Sequence, residues 1–181
     1  MLLPWMLLLV FSFTALAQAI DLKKYPGYID FDQIVIPDKA SKVTEITLGP
    51  ALLKLAAMAD NGDEDLSTTL ENLHGIQVKS FDINTEQAAK LQPVMDKIEA
   101  KLNKEGWERL IQVKGEDERV VVSVKYNDDK MVGLLVMSVE SGDEASFVNV
   151  VGSIDLSDLE NLNLDLDQSA IDSLKKNIKE K

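Results

Sequence analysis

Cysteine is absent from this chain, and histidine occurs once, as His74. The missing thiols exclude thiol catalysis, cysteine-held zinc, redox switching and any disulfide framework. Recognisable catalytic patterns are missing too. There is no nucleophile elbow, no phosphate-binding P-loop and no dinucleotide glycine pattern. Basic residues are scarce beside acidic ones, 19 against 31, which leaves a net charge of −12. A body so charged is repelled by nucleic-acid phosphates and by anionic membrane surfaces, so neither is expected as a partner.

Long apolar runs are also missing, with one short exception. Residues 1–19 carry no charged side chain, and Leu2 to Leu16 is apolar apart from Pro4, Ser12 and Thr14. That run falls short of the roughly 20 residues a spanning helix needs. It ends in Ala17-Gln18-Ala19, a small-x-small cleavage pattern. The stretch reads as a secretory signal peptide, with the mature chain beginning at Ile20 and no stable membrane insertion after cleavage. A retained anchor is the competing reading, since no Lys or Arg precedes the apolar run. No cysteine follows that run, which excludes lipoprotein attachment. All of the net charge then falls on the mature chain, which must hold together on its core alone. A cysteine-free exported protein of this size fits a bacterial periplasm or exterior.

What is present is a run of strand signals from Trp107 to Ile154. Trp107, Arg109, Ile111 and Val113 alternate with Glu108, Leu110, Gln112 and Lys114. Val120, Val122, Val124 and Tyr126 alternate with Val121, Ser123 and Lys125. Met131–Val139 is nearly all apolar, and Ser146–Ile154 follows. The segments are separated by polar turns at 115–118, 127–130 and 140–144. Period-2 alternation between such turns predicts a four-stranded antiparallel meander over about 107–154. The first two strands should each keep a wetter face. The third should lie centrally, covered on both faces.

Further strands are expected near 43–48 and 76–83, extending the meander. Gly49-Pro50 opens a helix to about Ala59 whose apolar residues go nearly all the way round, which predicts a buried helix. A second helix should carry Leu66, Leu70 and Leu73 inward and end at His74-Gly75. Asn84 and Gln87 form a capping box for a third helix, with Ala88, Leu91, Met95, Ile98 and Leu102 on one seam. Pro93 should kink or restart that helix, and Gly106 should end it. Ser157-Asp158-Leu159-Glu160 is another capping box. Ser169–Lys181 patterns as an amphipathic helix with Ile171, Leu174 and Ile178 on one stripe and lysines at its end. The fold class is α+β, a single domain with helices packed on an antiparallel sheet. Its parts are a signal peptide over 1–19, an N-terminal arm over 20–42, the α+β domain over 43–162, and a tether with an amphipathic helix over 163–181.

Two places invite chemistry. Asp60-Asn61-Gly62-Asp63-Glu64-Asp65 resembles a calcium loop in composition only. Such a loop needs its glycine sixth and a glutamate twelfth, and Gly62 stands third. The run reads as a solvated turn whose acids complement the next helix dipole. His74 reads as a partner of a helix C-terminus, because no nucleophile setting accompanies it. No catalytic, cofactor-binding or metal-binding residue is therefore assigned, and no cofactor is expected.

Four stretches carry a resemblance. They are Ile46–Ala56, a strand running into an apolar helix; Leu73-His74-Gly75-Ile76-Gln77-Val78; Gly106–Val113, with its aromatic after the glycine; and Val150-Val151-Gly152-Ser153-Ile154-Asp155-Leu156. Together they resemble DUF4252, a family of small exported bacterial proteins, over about Val43 to Leu162. The resemblance implies an envelope location and, through gene neighbourhoods of some members, a link to envelope stress signalling. It brings no catalytic residue. The expected function is a non-catalytic binding or interaction module of the envelope, with an envelope protein as partner. The alternatives are an envelope-stress regulator acting on a membrane signalling protein, and a carboxylate-dependent hydrolase built from the plentiful acids.

Overall fold

A computed structural model of the chain describes residues 21–59 and 64–154. The expected signal peptide and cleavage site lie outside the described residues, as do most of the acidic run after Ala59, the expected second capping box and the expected C-terminal helix. Nine elements follow one another: β1 Val43–Leu48, α1 Pro50–Ala59, α2 Glu64–Asn72, β2 Leu73–Asp82, α3 Thr85–Lys104, β3 Trp107–Lys114, β4 Glu118–Asn127, β5 Lys130–Glu140 and β6 Glu144–Ile154.

The strands form one six-stranded antiparallel sheet in the order β1-β2-β6-β5-β4-β3. This corrects the expected four-stranded meander with attached extensions. The run from β3 to β6 does keep neighbour order. Yet β2 pairs along β6 from Leu73 with Gly152 to Asp82 with Glu144, over a length comparable to the pairs inside the meander. That pairing joins residues about seventy apart, so no local pattern marks it. The class remains α+β, with three helices among the described residues.

Each face of the sheet carries its own apolar cluster. On one side, the α3 seam of Ala88, Leu91, Met95, Ile98 and Leu102 packs against Val121, Leu135, Met137 and Phe147. On the other, Leu53 of α1 and Leu73 join Val122, Val124, Leu134, Val136 and Val150. β5 is buried on both faces, as its composition predicts. β4 is buried on both as well, because Val121 packs in the α3-side cluster and Val122 and Val124 in the opposite one, so its expected wetter face is not there.

A bulge between Arg109 and Ile111 resets β3. The extra residue turns Trp107 into the α3-side cluster and Ile111 into the opposite one. Simple alternation put both on one side. The asparagine–glutamine capping box of α3 is formed in both directions, Gln87 N–H to Asn84 Oδ1 at 2.9 Å and Asn84 N–H to Gln87 Oε1 at 2.8 Å. Past the C-cap, Gly106 takes φ +74°, a conformation glycine enters at no steric cost. Pro93 does not restart α3: the helix runs on from Thr85 to Lys104 across it. Ala89 and Pro93 both lie on the exposed side, where water can satisfy the carbonyl that loses its donor.

The arm before β1 is a working part of the core. Leu22, Ile29, Phe31 and Ile34 are buried, the last three inside the α3-side cluster. Asn149 of β6, fully buried, ties the arm down. Its Nδ2 donates to Gly27 O at 2.9 Å and to Leu134 O at 3.0 Å. Its Oδ1 accepts from Ile29 N–H at 2.9 Å and from Gln77 Nε2 at 3.2 Å. All four hydrogen-bonding positions of the amide are filled. The backbones of Gly27 and Gly133 touch at this point: a Cβ on Gly27 would stand 2.0 Å from Val132 O.

Two substitutions test this account. Leu135 has no exposed surface, so Leu135→Ala is expected to cost ~2–5 kcal/mol in urea melts, while exposed Lys130→Ala stays within about 0.5 kcal/mol. Asn149→Leu strands the buried Gly27 and Leu134 carbonyls and the Ile29 amide, at roughly 1–3 kcal/mol each. The arm of that variant should be cut by protease under conditions where the wild-type arm is protected.

Candidate functional site

Helix α1 has the sequence PALLKLAAMA. Its alanines and leucines favour helix on any face, and Pro50 suits the first turn. Gly49 O accepts from the N–H groups of Leu52 and Leu53, which starts the helix directly behind β1. Leu53 and Ala57 turn inward and are buried. Among the described residues nothing covers the opposite face, contrary to the buried helix that the sequence predicts. Leu52, Leu55 and Met58 are 49%, 61% and 71% exposed. Spacings of three residues set them along one side of the helix. Lys54 is the helix's one charged residue. Next to α1, edge strand β1 leaves Ile46 43% exposed. Single exposed apolar residues are ordinary; a whole apolar helix face beside an apolar edge strand is not.

A second constellation lies on the α3 side of the sheet. Glu99 of α3 is buried, and so is Arg119 of β4. Arg119 Nη2 donates to Glu99 Oε1 and to Asp96 Oδ1, the latter at 2.7 Å. Arg119 Nη1 donates to Gln92 Oε1 at 3.0 Å. Arg109 Nη1 reaches the other Glu99 oxygen at 2.9 Å. Burial works against the Arg119 charge, but Asp96 and Glu99 outweigh it and hold its pKa above the ordinary arginine value. Sequence reasoning missed this cluster. Its signal was available: Glu99 falls four residues after Met95 on the core seam, and Arg119 falls two before Val121 on the inward face of β4.

A cavity of about 370 Å³ opens beside this cluster, lined by Gln92, Asp96, Lys114, Glu116, Glu118 and Arg119 among others. Its lining is about half apolar, and its carboxylates outnumber its cations. A second hollow of about 480 Å³ lies where the arm meets β2, near Ser41, Asp82 and Asn84. There the Ser41 hydroxyl, and after it the Lys42 backbone N–H, hold the Asp82 carboxyl below its usual range.

His74 is not at a helix end. α2 stops at Asn72, and β2 already includes His74 and Gly75. The exposed imidazole stacks on Tyr25 of the arm, ring centroids 4.1 Å apart and planes 19° from parallel. It helps seat the arm. Among the described residues no three His, Asp or Glu side chains come together in a way that could hold a metal ion. No helix among them is long and apolar enough to cross a membrane.

Comparison with protein families decides the family. The model for DUF4252, a domain of unknown function, matches residues 37–162. The chain belongs to this family. Neither a curated protein nor a solved structure matches it. The family match opens at Pro37, so most of the arm that fills the α3-side core, Leu22 to Ile34 included, precedes it.

The ion cluster makes a quantitative prediction. Arg119→Met removes the cation but keeps the stem, and Glu99 then depends on Arg109 alone. A loss of about 3 kcal/mol in urea melts is expected, the low end for breaking a buried pair. Adding Glu99→Leu should restore part of it. The exposed Glu86–Lys90 pair is the contrast: Lys90→Ala should move stability by no more than ~0.5 kcal/mol.

Proposed function

We propose that this chain is an exported, non-catalytic interaction module of the bacterial cell envelope, working through the outward face of α1. The observation that carries the reading is the apolar stripe of Leu52, Leu55 and Met58, exposed on a chain of net charge −12. An apolar face costs solubility, and a folded domain keeps one where a partner covers it. The uncharged stretch over residues 1–19, closing on Ala17-Gln18-Ala19, supports export. The lack of cysteine fits an envelope compartment. A partner that is itself a membrane signalling protein would make the module a stress regulator.

The hydrolase reading gains nothing from Asp96 and Glu99. Asp96 and Glu99 both accept from Arg119, and Glu99 accepts from Arg109 as well. One arginine holding two acids leaves neither placed as a free acid or base.

The test is made in cells. Envelope protein should yield an N-terminus at Ile20, and a photo-crosslinker in place of Leu55 should give a discrete adduct with a polypeptide. The same group in place of exposed Lys97 on α3 should give none. An intact Met1 terminus, or equal labelling from both positions, would count against the reading.

A further inference from the structure

The two edges of the sheet are built differently. β3 is broken by its bulge and carries Glu108, Arg109, Gln112 and Lys114, features that discourage strand pairing. β1 has no such protection. Its six residues, VTEITL, pair with β2 without a register shift. They include no proline and one charge, Glu45, which Lys79 of β2 meets at 3.1 Å.

The phase of the β1 hydrogen bonds follows from one contact. Asp82 N–H donates to Lys42 O at 3.3 Å, so Lys42 and every second residue after it face β2. Val43, Glu45 and Thr47 therefore turn their N–H and C=O groups outward. Side chains alternate the other way: Ile46 and Leu48 share a face with Val78 and Ile76, the side on which α1 packs.

These constraints select a partner strand. A two-fold pairing that keeps both α1 helices on one side of a continuous sheet must centre on a residue of β1. Centring on Glu45 sets like charges directly opposite each other, which is unfavourable. Centring on Ile46 sets Ile46 against its own copy, and Thr44 against Leu48. Glu45 and Thr47 then exchange backbone hydrogen bonds in two symmetry-related pairs, with outward-facing groups on both strands. No like charges meet, and every residue from Thr44 to Leu48 is paired. α1 follows β1 after one residue and touches it, so both copies' α1 helices lie on the shared side of the continuous sheet, close to this edge.

We propose that the occupant of this edge is a second copy of the chain, in an antiparallel β1–β1 pairing centred on Ile46 with α1 completing the interface. It rests on the reading that the α1 side is where a protein docks. Charge supports a self-association confined to this edge. Each copy is net negative, so two copies repel except where they bring together the nearly uncharged surface of Ile46, Leu52, Leu55 and Met58. The dimer should accordingly tighten as salt rises.

The cysteine-free chain supplies its own reporter. A single Ile46→Cys places two thiols across the axis, on Cα atoms about 4.5 Å apart, within the range that a disulfide spans. Thr44→Cys puts them roughly 14 Å apart along the strand. With the full chain as the cell processes it, mild oxidation should convert Ile46→Cys to one covalent dimer, at least ~10-fold faster than Thr44→Cys. In sedimentation, the wild type should be a dimer. Thr47→Pro, which removes an outward N–H, and Leu55→Asp should each weaken it ~10-fold or more. Leu55 is exposed, so Leu55→Asp decides the matter even if Thr47→Pro fails to fold. A monomeric wild type, or cross-linking that favours Thr44→Cys, overturns the proposal. If adducts from position 55 then contain a different polypeptide, the homodimer is wrong and the interaction module stands. If position 55 labels nothing, both are wrong.

Discussion

One buried amide holds the two halves of the molecule in register. Asn149 sits in β6 near the middle of the sheet and bonds to three other segments at once: the arm at Gly27 and Ile29, β2 through Gln77, and β5 through Leu134 O. An apolar residue would bury as well there, but it would satisfy none of these backbone groups. With the amide in place, the arm can cross the sheet as irregular chain with Gly27 O and Ile29 N–H both partnered at the crossing. The arm then closes the α3-side core with Ile29, Phe31 and Ile34. The Gly27–Gly133 contact follows from the same constraint, because the crossing is too close for a side chain on either strand.

The elements were legible where local chemistry decides them. The capping box at Asn84, the inward seam of α3, the positive φ of Gly106 and the doubly buried β5 all follow from short-range pattern. What escaped the sequence was decided at long range. The pairing of β2 with β6 makes the sheet six-stranded, yet it leaves no mark in either segment alone. The bulge in β3 moves Ile111 across the sheet, although its alternation reads as regular. The apolar residues of the arm, Ile29, Phe31 and Ile34 among them, mark it in the sequence as a segment able to dock on the domain; only its partners show which core it fills.

The candidate surface shows the same limit more sharply. A helix apolar on every side reads as buried, since periodicity records which residues are apolar and not what surrounds them. Leu53 and Ala57 meet that expectation; Leu52, Leu55 and Met58 do not. The conflict between pattern and exposure is itself the functional signal, of the kind that marks sites rather than scaffolds. The Arg119–Glu99 cluster is the reverse case. Its residues look like surface charge in the sequence, and they are buried, mutually paired and structural.

The bonds from Asn149 to the arm link residues 120 and more positions apart in the chain. The arm is among the first parts synthesised, and its anchor is in the final strand of the sheet. During synthesis the α3-side core therefore cannot close until nearly the whole domain has emerged, and contacts of such long range form slowly. Until β6 is made, Phe31 and Phe81 lack the Phe147 ring they pack against in the finished core. The α3-side core is complete only when β6 supplies both Phe147 and Asn149.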